Sequence, residues 1–278
     1  MIIKASQLKG KIKNLANGDV KKAESLVRLY FMERFLERVS LSEYNDSFIL
    51  KGGLLTSSLL GINLRTTMDI DTTVRALPLT DEDIQRIISD ICKVEVADNI
   101  AFSILYTEKI MDEFDYPGVK VHLEGHLEGI RQPIKIDVST DDVITPRAIK
   151  YEYKLLFEDR TIQLITYNTE TLLAEKVQTI ISRSIANTRL RDFYDVYMIT
   201  TNVEYNLNVL REAFTSTCKK RGTIFTSEKI NTELELILQD QKLAHSWERF
   251  RKKNSFVDEL EWKIVIDKVT SIIRDMII

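Results

Sequence analysis

The sequence predicts an α/β amino-terminal domain over residues 1–165 and a helical carboxy-terminal domain over residues 166–278. The chain of 278 residues holds only nine Gly and four Pro. Because these two residue types interrupt regular structure, their scarcity favours long, continuous elements. The middle of the chain alternates polar and apolar residues, which is the period of a strand, whereas both ends repeat apolar residues every three or four positions, as helices do.

Composition excludes several classes of protein. The 39 Lys+Arg and 42 Asp+Glu give a formal net charge of −3, which argues against a protein that coats nucleic acid over its whole surface but not against a local basic groove. Two cysteines, Cys92 and Cys218, make neither a disulfide framework nor a zinc site of closely spaced thiolates. No apolar run reaches the length of a membrane span, and the first residues lack a signal-peptide pattern. We therefore expect a soluble cytoplasmic protein.

The first half of the chain contains helices at its start and then changes period. Apolar residues that include Leu26, Leu29 and Phe35 recur at helical spacing within residues 1–38. A short apolar strand is expected over 47–50, followed by a helical stretch that ends at Gly61. The alternation over 68–74 predicts a half-buried strand. Thr80 and the acidic residues after it predict the start of a helix that ends at Cys92.

Strand-like runs then follow one another before the pattern becomes helical. Three runs cover 101–110, 118–129 and 133–140, and two further runs at 149–157 and 161–167 either extend the sheet or close it. Residues 169–184 and 189–200 predict two helices, and the remainder to Ile278 reads as helical throughout.

Three carboxylates in the predicted strands are the strongest chemical signal. Asp69 and Asp71 stand two apart, so a strand would place both side chains on one face. Such a pair repels itself unless a cation lies between the two groups, and oxygen ligands on a rigid strand suit Mg²⁺. Asp137 lies in another strand-like run and would complete a two-metal arrangement. Alone, the Asp69/Asp71 pair would more simply be a solvated strand face.

A glycine pair supports the chemical interpretation. Lys51, Gly52 and Gly53 follow a predicted strand and precede a predicted helix. Glycines at this position let backbone N–H groups approach a phosphate, and the helix amino terminus adds a partial positive charge. The sequence therefore combines a candidate phosphate-binding turn with a candidate metal site.

This order of motifs resembles the DNA polymerase β-like nucleotidyltransferases, and within them the AbiEii/AbiGii-type toxins of abortive-infection, type IV toxin–antitoxin systems. The resemblance covers roughly residues 45–200. It rests on Gly52-Gly53, on Arg65-x-Thr67-x-Asp69-Ile70-Asp71, on Asp137, on Glu175-Lys176 with Arg183, and on Arg191-Asp192-Phe193-Tyr194-Asp195. It implies an α+β fold: a mixed sheet with flanking helices plus a helical carboxy-terminal domain.

The resemblance also implies roles for individual residues. The metal ligands would be Asp69, Asp71 and Asp137, and these three would act in catalysis together with Lys176, Asp192 and Asp195. The nucleotide would be bound by Lys51, Gly52, Gly53, Arg65, Thr67 and Lys176. Spacing alone does not decide whether Asp192 or Asp195 is the essential one. Either would pair with Arg189 or Arg191, or position Lys176.

The implied activity is transfer of a nucleotide from a nucleoside triphosphate, with GTP binding among the family's properties, to an acceptor such as a tRNA end. Mg²⁺ would be the cofactor, the product would inhibit growth in phage defence, and a neighbouring antitoxin would act without a stable complex. Neither a membrane nor a tight protein partner is expected.

Other interpretations remain open from the sequence. The scaffold would also suit a kinase-like phosphotransferase or a nucleotide-binding regulator without turnover, although all three carboxylates argue against the regulator. A helical nuclease is disfavoured because no histidine follows an arginine closely. Lys176 would otherwise be a surface lysine, and His122 and His126 read as strand residues without a ligand role. Two basic clusters would either track an RNA backbone or form solvated helix faces: Lys219, Lys220 and Arg221, and Arg249, Arg251, Lys252 and Lys253.

Overall fold

A computed structural model describes residues 1–61, 67–77, 80–110, 118–257 and 259–277. The chain divides into two compact units. The first comprises Met1–Ser58, Thr66–Asp142 and Ile149–Thr166, and the second Leu59–Arg65, Val143–Ala148 and Tyr167–Ile278. The division of the chain into domains at residue 165 stays a prediction.

The first unit is a seven-stranded mixed sheet with helices. Its elements are α1 (Ala5–Ala16), α2 (Val20–Leu41), β1 (Phe48–Lys51), α3 (Gly52–Leu60, whose last two residues belong to the second unit), β2 (Ile70–Val74), α4 (Asp81–Cys92), β3 (Ala101–Ile110), β4 (Gly118–Leu127), β5 (Ile130–Thr140), β6 (Ile149–Lys154) and β7 (Thr161–Thr166). The strand order is β3-β4-β5-β2-β1-β7-β6. The β2–β5 and β1–β7 pairs are parallel and the others antiparallel. The predicted mixed sheet with flanking helices is confirmed.

Local sequence explains where the helices of this unit begin. Asp19 caps α2 by accepting a hydrogen bond from the Lys22 amide at 3.0 Å. Thr80 caps α4 by accepting from the Asp83 amide at 3.1 Å, as the sequence predicts. One correction concerns β2, because the strand begins at Ile70 and Asp69 immediately precedes it.

Helices α2 and α4 cover one face of the sheet. The isoleucines of α4 at positions 84, 87, 88 and 91 are buried, as are Val119, Val121 and Leu123 of β4. A side chain at Gly125 in β4 would overlap the Phe31 ring of α2, so glycine permits this close packing. The alternate residues of β4 point to the opposite face.

Charged side chains of α2 are buried in pairs. Arg38 donates two hydrogen bonds to Asp98, at 2.8 and 2.9 Å, and Arg160 donates two to Glu37, at 2.6 and 2.8 Å. Burial raises the pKa of Glu33 to about 8, against the effect of the Leu156 amide that donates to it. These contacts fix α2 against the β6–β7 hairpin and the segment before β3.

The second unit is helical, as predicted for the end of the chain. Its helices are α5 (Thr169–Arg183), α6 (Leu190–Asn202), α7 (Leu207–Lys220), α8 (Ser227–Gln239), α9 (Gln241–Lys253) and α10 (Trp262–Ile277). Trp247 is fully buried, and its indole N–H donates to the Leu260 carbonyl at 2.9 Å. Among the described helices, none is both long and apolar enough to cross a membrane.

Candidate active site

Two neighbouring strands bring the three predicted carboxylates together. Asp71 in β2 and Asp137 in β5 are partners in the parallel register, and Asp69 precedes β2 by one residue. Each contributes an oxygen to a group whose members all lie within 4.8 Å of one another, and each side chain is partly buried. Residues far apart in the chain therefore form one cluster, because β5 returns beside β2.

The Asp137 carboxyl has the chemistry expected of a cation ligand. Its Oδ1 is buried and has no hydrogen-bond partner among the residues described. Burial raises the pKa of Asp137 to about 6; nearby Asp71 and Asp69 raise it further, while Lys120 acts to lower it. Three carboxylates that each offer an oxygen, one of them with a buried oxygen that lacks a hydrogen bond, fit a hard divalent cation such as Mg²⁺.

Lys120 in β4 contacts this cluster and was not predicted from the sequence. Its Nζ lies 3.7 Å from Asp137 Oδ2. Lys120 pairs with Asp137 across β4 and β5, and Lys51 pairs with Asp71 across β1 and β2. The sheet therefore carries a row of four charged residues in the order Lys51, Asp71, Asp137, Lys120.

The glycine pair at the start of α3 lies against the same cluster. The Gly53 amide donates to Asp71 Oδ2 at 2.9 Å. Gly52 has φ of 59°, and a Cβ built on it would overlap the same oxygen. Glycine is therefore required at position 52 both by the left-handed backbone and by the approach of a carboxylate. The structure thus shows the turn holding Asp71.

The remaining residues predicted to bind the nucleotide in the first half of the chain are Lys51, Thr67 and Arg65. Lys51 Nζ donates to Asp142 Oδ2, which also accepts from Ser139 Oγ at 3.0 Å. The buried Thr67 hydroxyl donates to the Asp69 carbonyl at 3.3 Å and so supports the backbone next to a cluster carboxylate. Arg65 lies outside the described residues.

In the second unit, α5 and α6 contribute the members of a charged group. Lys176 Nζ in α5 donates to Asp195 Oδ2 at 2.7 Å and to Asp192 Oδ1 at 3.2 Å, both in α6. Lys176 is 8% exposed and Asp195 is fully buried. The surface-lysine interpretation is therefore wrong, and the i, i+3 pair of aspartates positions the lysine ammonium.

Comparison with protein-family models decides the family. The model described as the nucleotidyltransferase AbiEii toxin of type IV toxin–antitoxin systems matches residues 34–268. The chain belongs to the AbiEii family. This AbiEii protein is accordingly a nucleotidyltransferase.

This AbiEii chain shares its fold with a solved structure. It is similar to a proposed nucleotidyltransferase from H. pylori, with 12% identity, coverage of 91% of this chain and 94% of the other, and a TM-score of 0.53. It is less similar to JHP933 from Helicobacter pylori, with 15% identity, 82% and 95% coverage, and a TM-score of 0.44. No curated protein matches the chain. At these identities the first likeness shows the nucleotidyltransferase fold alone.

Other residues that the sequence analysis names lie in the core or contact neighbouring side chains. Phe193 and Tyr194 are buried and belong to the core of the second unit. His122 Nε2 lies 3.0 Å from Glu108 Oε1. Arg221 donates to Thr179 Oγ1 in α5 at 3.2 Å, so this member of the first basic cluster is held against a helix.

Proposed function

We propose that this AbiEii toxin transfers a nucleotide from a nucleoside triphosphate to an RNA acceptor, such as a tRNA end, in a Mg²⁺-dependent reaction. The close approach of Asp69, Asp71 and Asp137 supports the proposal, since three carboxylates within 4.8 Å repel one another unless a cation is bound. When bound, Mg²⁺ supplies positive charge to the triphosphate and to the attacking hydroxyl.

The residues of the cluster then have distinct tasks. Asp69 and Asp71 would hold the cation from the end of β2, with Asp71 fixed by the Gly53 amide. Asp137 would hold it from β5 and orient the acceptor hydroxyl toward the α-phosphate.

The nucleotide contacts follow from the family motifs. Lys176 would contact a phosphate as a point charge, with Asp192 and Asp195 holding its ammonium. Lys51, Gly52, Gly53, Arg65 and Thr67 complete the proposed nucleotide-binding set, and GTP is one candidate triphosphate. Asp195 is the better candidate for the essential aspartate, because it is fully buried and makes the shorter contact to Lys176.

The proposed biological role is that of a growth-inhibiting toxin in abortive infection and phage defence. Its antitoxin would act without forming a stable complex with it. Mixing the purified toxin and antitoxin and measuring their masses by size-exclusion chromatography with light scattering tests this; a stable co-eluting complex would contradict it.

Labelled nucleotides test the reaction. The purified protein is incubated with total RNA and each triphosphate, labelled at the α- or the γ-phosphate, with Mg²⁺ or with a chelator. We expect α-label on RNA, only with the metal, and its loss in Asp69→Asn. Asp159→Asn is the control because Asp159 is exposed and far along the chain from the cluster.

The pattern of label separates the proposal from its rivals. Transfer of γ-label would instead assign a kinase-like phosphotransferase. Binding of triphosphate without transfer of either label would assign a regulator.

A further inference from the structure

One face of the β3–β4–β5 sheet carries polar side chains that continue from the carboxylate cluster. Helices α2 and α4 pack against the opposite face, which holds Val119, Val121 and Leu123. The strand registers place Tyr106 and Glu108 of β3, Lys120 and His122 of β4, and Arg131, Lys135 and Asp137 of β5 on the other side. We call these seven residues the polar face.

An exposed aromatic ring is built into the polar face. The Tyr106 and His122 rings stack with centroids 4.0 Å apart and 18° between their planes. His122 is 9% exposed, and Glu108 holds its Nε2 at 3.0 Å, whereas Tyr106 is 52% exposed. The histidine thus fixes the tyrosine on one side, and the remaining ring surface is presented to solvent.

Cations lie along β5 on the same side as Asp137. Lys135 and Arg131 are exposed and stand two and six residues before Asp137, which corresponds to roughly 7 and 20 Å along a strand. Lys120 lies beside Asp137 itself. Besides Asp137, this side carries the carboxylates of Glu108 and Glu124, and each lies within 3.0 Å of a histidine nitrogen. The three cations and the tyrosine are the groups of this side that can contact phosphates and a base.

We propose that the polar face binds the single-stranded RNA acceptor next to its reacting end. Tyr106 stacks on a base, while Lys120, Lys135 and Arg131 contact successive phosphates and direct the terminal hydroxyl to Asp137. A row of cations beside a solvent-exposed ring is the combination that single-stranded nucleic acids require. Tyr106 lies on the order of 12 Å from Asp137, across two strand spacings and two residues. The inference rests on the proposed function and names where its acceptor lies.

Binding without catalysis tests the proposal. The fluorescence anisotropy of a labelled single-stranded RNA of roughly 12 nucleotides is measured in chelator without triphosphate, over a range of salt concentrations. We expect Tyr106→Ala to weaken binding about tenfold or more and Tyr106→Phe to retain it, because stacking needs the ring and not the hydroxyl. The double variant Arg131→Gln/Lys135→Gln should lower the salt slope by about two phosphate contacts.

Lys109→Gln is the matched control. Lys109 is an exposed lysine of β3 whose register partner is Val119, so it lies on the other side of the same sheet. It should bind RNA as the wild type does, although it loses a positive charge from the same sheet, as each substitution of the double variant does.

Two results would overturn the inference: no RNA binding by the wild type, or unchanged affinity and salt slope in the Tyr106→Ala and double variants. Failure of the proposed function looks different, because the wild type would then bind RNA through these residues and transfer no label to it.

Discussion

Asp137→Asn should make the metal-free protein more stable near neutral pH. The wild-type carboxyl has its pKa raised from 3.8 to about 6 by burial and by the neighbouring aspartates. A shift of about two units sets a ceiling of about 3 kcal/mol. The side chain is 24% exposed, so solvent screening reduces the expected gain to roughly 1–2 kcal/mol.

The stability difference between Asp137→Asn and the wild type depends on pH. Because the folded pKa lies above the unfolded one, this group contributes its full stability below pH 3.8, and that contribution is lost as pH rises through about 6. The amide that replaces the carboxyl in the variant stays neutral, so the difference between variant and wild type should grow over that window and level off above it.

Chemical denaturation in chelator, repeated from about pH 4.5 to about pH 7.5, measures this difference. Free energies of unfolding that differ by the same amount at every pH, or a variant less stable at about pH 7.5, would refute the reasoning. Asp159→Asn, which removes an exposed carboxylate, is the control and should show no such pH-dependent gain.

Three further substitutions test other contacts. Gly52→Ala should lower the unfolding free energy by more than the ~1–2 kcal/mol that a left-handed alanine costs, because its Cβ overlaps Asp71. It should also weaken the binding of Mn²⁺, used as a probe of the metal site. Gly18→Ala is the control for the backbone cost alone, because Gly18 also has positive φ but lies in open space. Lys176→Met should lower the stability of the protein by roughly 3 kcal/mol, because Asp195 stays buried without its lysine. In thermal unfolding, the double variant Lys176→Met/Asp195→Asn should recover most of that loss. Calorimetry should show that triphosphate binding is not restored. If α9 also holds RNA, replacing Arg249, Arg251, Lys252 and Lys253 with glutamine should lower the salt slope of RNA binding by about three, because Arg251 is already paired with Glu248.

Much of the fold could be predicted from local patterns. The period of the chain separates the strands of the sheet from the helices, and Thr80 marks the start of α4 through the same hydrogen bond that the structure contains. Strand order could not be predicted in this way. That β5 lies parallel to β2 depends on contacts between segments that are far apart in the chain, which no local period encodes.

The candidate site shows the same limit. Asp69, Asp71 and Asp137 could be singled out because their spacing matches a known motif, whereas Lys120 and Asp142 belong to no motif. Strand register brings Lys120 to the site, and the segment after β5 brings Asp142 to Lys51. Lys176 could be predicted as functional but not as buried, since its burial depends on Asp195 in the next helix.

The row Lys51, Asp71, Asp137, Lys120 explains how three carboxylates can lie together in a folded protein. Asp71 receives a backbone N–H from Gly53, and Asp137 faces Lys120, so part of the repulsion is offset by groups fixed in the sheet and in α3. The remaining repulsion adds to the effect of burial in raising the pKa of Asp137. A divalent cation and the Asp137→Asn substitution relieve that same repulsion in different ways. A ligand that binds only the folded state stabilises it by RT ln(1 + [L]/Kd). Mg²⁺ should therefore stabilise the wild type strongly and the variant only weakly, so the wild type should become the more stable of the two proteins as the metal concentration rises.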